Sequence, residues 1–436
     1  MHFINLGICN AVVQAIISFD ESLDEKLLVE SLNRLVESEP ILNCQWVDRL
    51  GCPRWETVTS EQLDRFQVIL TNHVQQDLDD FMSAPLDPRT DSLIQIRVFR
   101  VDEPDGIKDT VCFKMSHVVS DVAGLRYFLL KLGETYAKLK ENPDYQPTKP
   151  VARCGGWQVF LQLSSRLKTR LFQKGRKDFI KKGQWRIPFN SQGTGQMTYE
   201  TRTFNSEKVA ALSDYAKNKG ASLNQVMLTA FARALHRFTR AETDAFLPLI
   251  NTFDLRHYLR RDECPGICNL SVPLVPEVVF RANDSFEQTL AQLKTEMLEH
   301  KKSVPGVFQA LSIELLFLAP FSLVNQLIKQ SLAQVALNGA STPLFSDGGS
   351  ANVGIPGHKV RHIYGVGPIA YPPTFMVTLS AFQDTVTLAA GFCQEAIARQ
   401  AIVEFFDLIE EELSFAYVVS TGINSASQQE SNLLAN

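Results

Sequence analysis

His117 and Asp121 are separated by three residues, in the run Val111-Cys-Phe-Lys-Met-Ser-His117-Val-Val-Ser-Asp121-Val-Ala-Gly124-Leu-Arg-Tyr-Phe-Leu-Leu-Lys-Leu132. An imidazole that is partly shielded from water and held at a fixed angle can take a proton from an alcohol or amine near neutral pH, which is the work of a general base. An aspartate four residues on is too constrained by the intervening turn to serve the same proton. Its role on this reading is to hold the corner, through an arginine. Taken singly, each residue also has an ordinary explanation: Asp121 as a helix N-cap, and His117 as a hydrogen-bonded residue at a strand end.

The hydrophobic pattern says what must position them. Val111, Phe113 and Met115 alternate, which predicts a half-buried strand. Leu125, Phe128, Leu129 and Leu132 recur at three and four, which predicts a helix. His117 then ends the strand on its apolar side and Asp121 opens the helix, so regular elements on both sides fix the ring. Ile94, Ile96 and Val98 alternate in the same way, and Asp102-Glu-Pro-Asp-Gly106 turns that strand back into the one ending at His117.

Elsewhere the pattern alternates between strands and helices. Ser22-Leu-Asp-Glu25 reads as a capping box before the helical stripe Leu27, Leu28, Leu32, Leu35 and Val36, with Pro40 as its stop and Ile41 to Val47 as a strand. Ser222-Leu-Asn-Gln225 caps a second helix, with Val226, Met227, Ala230, Phe231, Ala234 and Leu235 on its apolar face, and Asp284-Ser285-Phe-Glu-Gln288 opens a third. Leu247 to Arg256 reads as a buried strand, and Pro265 to Pro273 as a short one. Phe375 to Leu379 and Val386 to Phe392 alternate as strands before a closing helix, Gln400 to Leu413. Leu311 to Leu337 reads as a buried helix pair. Its apolar run is interrupted by Pro320 and falls short of the roughly 20 residues a bilayer span needs, and an acyl-lining or membrane-touching surface is the alternative.

At 436 residues the chain can bury a large core and is long enough for two lobes. A net charge of −5 without a basic stripe excludes a nucleic-acid partner. Arg166 to Lys182 is basic and reads as a solvated helix face, with a phosphate-bearing cosubstrate as the alternative. No glycine-rich phosphate loop is present. Of the eight cysteines only Cys264 and Cys268 are close, too few for a zinc site, so no metal is expected. Most of the others lie in apolar runs and read as buried reduced thiols of a cytoplasmic protein. Met1 to Ser18 lacks the basic leader of a signal peptide and reads as a first strand. The polar tail, 425–436, reads as disordered.

The segment around His117 resembles the His-x-x-x-Asp signature of the superfamily of CoA- and carrier-protein-dependent acyltransferases. Chloramphenicol acetyltransferase, the condensation domains of nonribosomal peptide synthetases and alcohol acyltransferases such as wax ester synthases belong to it. Condensation domains carry a second histidine before the catalytic one and a glycine after the aspartate; here those positions are Ser116 and Val122, and the nearest glycine is Gly124. Other segments resemble the superfamily in the same order. They are the helix Asn224 to Leu235, the strand ending Asp254-Leu-Arg256, the Gly-x-x-Asn stretch with Asn269 and Ser271, and the Asn-x-Gly loop Asn352-Val-Gly354.

The resemblance implies an α/β fold of two chloramphenicol acetyltransferase-like lobes, 1–185 and 196–424, arranged as a pseudo-dimeric V with a tunnel between them. It implies His117 and Asp121 as the catalytic pair, Arg256 and Gly124 as their support, and Ser116, Asn269, Ser271, Asn352 and Gly354 along the channel. The expected reaction joins an acyl thioester, on CoA or a phosphopantetheine carrier protein, to a small amine or alcohol. No permanently bound cofactor, no membrane span and a monomeric state go with it. The alternatives are carrier-dependent peptide condensation, or a catalytically inactive binding or scaffold member of the same fold.

Overall fold

In the computed structural model of the chain, residues 9–49, 54–59, 63–150, 153–174, 184–191, 195–260, 266–281, 283–316 and 318–414 are described. Two sheets dominate. The first has five strands, in the order Val360–Val366, Val12–Phe19, Gly106–Ser116, Ile94–Glu103 and Phe66–Leu70. The second has six, in the order Ser271–Leu274, Ile250–Asp254, Leu344–Ser350, Met376–Phe382, Thr385–Cys393 and Met197–Phe204.

The strand that leads to His117 forms the expected hairpin, antiparallel in register from Glu103↔Gly106 to Ile94↔Met115. Gly106 turns it at a φ of 128°, a backbone angle that side chains resist. On one face Phe113 and Met115 meet Leu125, Phe128, Leu129 and Leu132 of the helix Val122–Glu141 and Leu28, Leu32 and Leu35 of the helix Glu25–Ser38. Each such side chain withdrawn from water contributes about 1.5–3 kcal/mol.

The strand is not half-buried, however: Cys112, Lys114 and Ser116 on its other face are buried as well. There the helix Val74–Ser83 and residues of the second sheet cover it, with Cys112 packed among Met82, Phe99 and Tyr199. Lys114 is tolerated because its ammonium donates to the carbonyls of Phe81 and Ala84 and lies 4.2 Å over the Phe81 ring. A polar residue in an alternating pattern therefore marks the opposite face without marking solvent.

Several expected elements shift for local reasons. Asp24, not Ser22, caps the first helix, its Oδ1 accepting from the Leu27 N–H at 3.0 Å. After Pro40 the chain makes a tight helical turn, Pro40–Asn43, so the strand begins at Cys44 rather than Ile41. The Leu247 to Arg256 run splits: Phe246–Pro248 pairs with Glu277–Val279, Ile250–Asp254 joins the six-stranded sheet, and Arg256 lies on the turn Leu255–Tyr258. Asn269 precedes the strand Ser271–Leu274 instead of lying within it. The capping boxes at Ser222/Gln225 and Ser285/Gln288 form as read, opening the helices Leu223–Thr239 and Phe286–Lys301.

The helix pair at Leu311 to Leu337 forms, as Val307–Leu316 and Phe321–Asn338, but it is not buried: Leu315, Leu323, Leu327 and Leu337 are exposed. Among the described residues no helix is long and apolar enough to cross a membrane. Residues 1–8 of the amino terminus, the basic stretch beyond Lys174, Cys264 and the tail 425–436 lie outside the described residues.

The two cores exchange segments. Val360–Val366 pairs with Val12–Phe19, and Val353 and Ile355 are buried in the first core. In the other direction, Trp185 is wholly buried in the second core and donates to the Pro248 carbonyl at 2.6 Å. The helix Leu223–Thr239 anchors that core, with Phe231 against Phe345 and Phe405.

Candidate active site

The strand ends at Ser116, and the His117 N–H still donates across the sheet to the Ala11 carbonyl at 2.7 Å. Five residues later the helix Val122–Glu141 begins with Asp121 as its N-cap, Oδ1 accepting from the Gly124 N–H at 2.8 Å. His117 is thus held on a four-residue corner between two regular elements.

Its ring is oriented by one short contact, Nδ1 to the Ser120 carbonyl at 2.6 Å. A carbonyl only accepts, so Nδ1 carries the proton and the lone pair of Nε2 is left free. Burial pushes the imidazole pKa below its ordinary 6.5, while the Ser120 carbonyl and the Asp121 charge pull the other way with less effect. At neutral pH the ring is uncharged, and it is half-buried rather than sealed off.

Asp121 is 1 % exposed and saturated with donors. Its Oδ2 accepts from the Arg256 guanidinium at 2.8 Å and from the Leu270 N–H at 2.7 Å. Arg256 also donates to the Cys268 carbonyl at 2.8 Å and to Asp254 at 3.1 Å. Desolvation opposes the guanidinium charge, yet the Asp121 carboxylate outweighs it and raises the pKa above the ordinary arginine value. The aspartate therefore ties the corner to the segment 254–270. Cys268, 3.4 Å from Arg256, is no rival nucleophile, since burial pushes its thiol up to about 11.

Asn269 comes from the same segment and reaches the histidine: its amide donates to the His117 carbonyl at 2.8 Å and lies 3.5 Å from Nδ1, on an exposed edge. Its Oδ1 accepts from the Ser271 N–H at 3.4 Å, and Ser271 is half-buried. The structure thus gathers His117, Asp121, Gly124, Arg256 and Asn269 into one cluster, with Ser271 at its margin. Ser116 adjoins it in sequence but is wholly buried, with a hydroxyl that finds no partner among the described residues. Among the described residues, neither Asn352 nor Gly354 hydrogen-bonds to His117. Asn352 is exposed, and the Gly354 carbonyl lies against Gly133 of the helix Val122–Glu141.

Gly124 is where no side chain fits. A Cβ there would meet the Ser120 hydroxyl and sit 3.0 Å from the Cys268 carbonyl, a backbone atom that cannot swing aside. Gly124→Ala is expected to lower stability by roughly 1–3 kcal/mol, the cost of overpacking; denaturant unfolding that gives an unchanged midpoint would show that the crossing is slack.

Arg153 was not singled out by its sequence context. It donates to the Val119 carbonyl at 3.0 Å and to the Ile267 carbonyl at 2.9 Å, gripping the corner and the facing segment beside the Arg256 contact. A lone arginine in a polar connection has no local signature; only folding brings its two acceptors together. Beyond the corner, an apolar cleft lies between the helix Val122–Glu141 and the strand Val360–Val366, lined by Val122, Leu125, Leu129, Val353, Ile363 and Val366.

The sequence profile of the condensation domain matches residues 10–247. No curated protein sequence matches the chain. Among solved structures, the trichothecene 15-O-acetyltransferase of Fusarium sporotrichioides superposes with a TM-score of 0.70 at 13 % identity, covering 94 % of this chain and 91 % of that one. The first condensation domain of the CDA synthetase gives a TM-score of 0.68 at 15 % identity, covering 95 % and 93 %. The epimerization domain from the third module of tyrocidine synthetase B gives 0.61 at 13 %, covering 94 % and 92 %. At these identities the structural likeness speaks for the fold, and the profile match over more than half of the sequence speaks for the family. The mixed α/β chain, with its His-x-x-x-Asp corner tied to the facing segment by Arg256, belongs to the condensation-domain family.

Proposed function

We propose that the chain is a freestanding acyltransferase that joins an acyl thioester to an amine or alcohol, with His117 as general base. The observation that carries this reading is the free Nε2 lone pair of a neutral, half-buried imidazole, held by the Ser120 carbonyl through Nδ1. Nε2 takes the proton of the acceptor O–H or N–H as that oxygen or nitrogen bonds to the thioester carbonyl carbon. The tetrahedral intermediate then collapses, the C–S bond breaks, and the imidazolium returns the proton to the leaving sulfur. The products are an ester or amide and a free thiol. Asp121 and Arg256 hold the corner and touch no reacting atom. The two halves of the sequence, 1–185 and 196–424, face each other across His117 on this reading, and Asn269 lines the approach. The apolar cleft beside Val122 and Leu125 suits an acyl chain.

The donor is acyl-CoA or a phosphopantetheinyl thioester on a carrier protein; both end in the same sulfur. Thiol release measured with each donor over a panel of amines and alcohols tests the reading, and absence of release from every pair would overturn it. Ser116, in place of the second histidine, favours a binding or scaffold role as the alternative, and that outcome would point to it.

The pH dependence has a definite sign. Because burial lowers the folded pKa of His117, the ring stays neutral down to below 6.5. Thiol release is expected to hold level from neutral pH downward and to fall only with a midpoint below 6.5. The same group stabilises the fold above the unfolded pKa, and that contribution is lost as pH falls through the lower folded value. An acid limb above 6.5 would mean that the ring is more hydrated than its surroundings indicate.

A further inference from the structure

The exposed apolar surface on the helices Gly156–Gln162, Ser165–Lys174, Val307–Leu316 and Phe321–Asn338 contributes no residue to the cluster around His117, and its meaning is independent of the proposed reaction. Among the described residues, eleven of the sixteen exposed large apolar side chains lie on these helices or in the turn joining the last two. Leu161, Phe172, Leu318 and Leu337 are 66, 69, 81 and 85 % exposed. Single exposed leucines are ordinary; a concentration of them marks a surface that meets something apolar.

The first three of these helices adjoin one another. The helix Gly156–Gln162 packs on Val307–Leu316, and the Gly156 N–H donates to Glu314 at 2.6 Å. The rings of Trp157, Phe160 and Phe172 follow one another edge to face at centroid distances of 5.8 and 6.2 Å.

Charge selects the occupant. The chain is acidic overall, at −5, yet the helix Ser165–Lys174 contains Arg166, Lys168, Arg170 and Lys174 and no acid. Arg166 and Arg170 are exposed on the helix that presents Phe172, and the Lys168 ammonium lies 5.1 Å over the Phe160 ring. Between them the helices Val307–Leu316 and Phe321–Asn338 carry one acid, Glu314, and it is turned onto the N–H groups of Gly156 and Trp157. Apolar side chains with a cationic border and no outward acid match the boundary between anionic headgroups and acyl chains.

We propose that this face docks the protein on an anionic lipid surface, with Leu161 and Phe172 entering the headgroup boundary and Arg166 and Arg170 meeting lipid phosphates. The helices lie along the interface and none crosses it.

The test is sedimentation of the full chain with phosphatidylcholine vesicles, with and without phosphatidylserine. The chain is expected to pellet with the phosphatidylserine vesicles and to be released by salt. Arg166→Glu with Arg170→Glu, and separately Leu161→Glu with Phe172→Glu, are expected to lower partitioning about tenfold or more. Lys217→Glu, on the remote helix Ser206–Asn218, is expected to leave it unchanged. Thermal melts confirm that the variants are folded, and the arginine pair, being exposed, keeps the test valid if the apolar pair is not. No pelleting of the native chain, or equal pelleting of the folded variants, overturns the proposal. So does self-association that Leu161→Glu with Phe172→Glu abolishes, which assigns the face to a second copy of the chain.

Discussion

Replacing His117 by alanine is expected to cut thiol release by about 10²–10⁴-fold, the usual contribution of a general base, while the fold survives. The ring contributes little to the packing around it: it is half-buried, and among the described residues its side-chain bonds are to the Ser120 carbonyl and, at 3.5 Å, to Asn269. Its backbone contacts, the N–H to Ala11 and the carbonyl to Asn269, persist in alanine. Turnover and thermal stability should therefore separate. A folded His117→Ala protein that turns over at the native rate would remove the imidazole from the chemistry.

Asp121→Asn is expected to do the reverse and damage both. The carboxylate is buried and accepts from three donors: Gly124, Leu270 and the Arg256 guanidinium. An asparagine keeps one acceptor oxygen. Its amide N–H₂ then faces either the guanidinium or an N–H, and the half-buried Arg256 loses the nearer of its two carboxylate partners, keeping Asp254 at 3.1 Å. Removing one member of a buried, hydrogen-bonded pair costs roughly 3–5 kcal/mol, so the denaturation midpoint should fall clearly. Activity should fall as well, because the same bond fixes the segment that carries Asn269 to His117. Arg256→Met should show a similar pair of losses, since it leaves Asp121 buried and uncompensated. An Asp121→Asn protein of native stability but without activity would mean that the carboxylate acts on the reacting atoms directly.

The parts of the fold that could be read from the sequence are those set by neighbours along the chain. The hairpin into His117, its change of period at Asp121 and the Ser222/Gln225 and Ser285/Gln288 caps depend on contacts within a few residues, and they stand where the pattern puts them. Asp24 displaces Ser22 as a cap because the helix starts at Glu25, two residues later than a Ser22 cap would place it. Pairings across the chain are another matter. Nothing in Val360–Val366 announces that it borders Val12–Phe19, and nothing in Lys114 announces carbonyl partners some thirty residues away. The exposed helices at Val307–Leu316 and Phe321–Asn338 read as core because an apolar run looks the same whether the chain or something else covers it.

Within the candidate site, the Arg256 bond to Asp121 joins two segments that the resemblance had already paired, whereas Arg153 is visible only once its two carbonyl acceptors are side by side. Ser116 stands next to the histidine in sequence and is yet walled in, because the strand's second face is covered.

The central claim is that His117 meets the acceptor as a neutral base, protonated on Nδ1 and free at Nε2. Nitrogen NMR of histidine-labelled protein, with the His117 signal identified by its loss in His117→Ala, tests it directly. The account predicts the Nδ1–H form at neutral pH and a titration midpoint below 6.5 that coincides with the acid limb of thiol release. A ring that is charged at neutral pH or protonated on Nε2, or a titration that the rate does not follow, would contradict it.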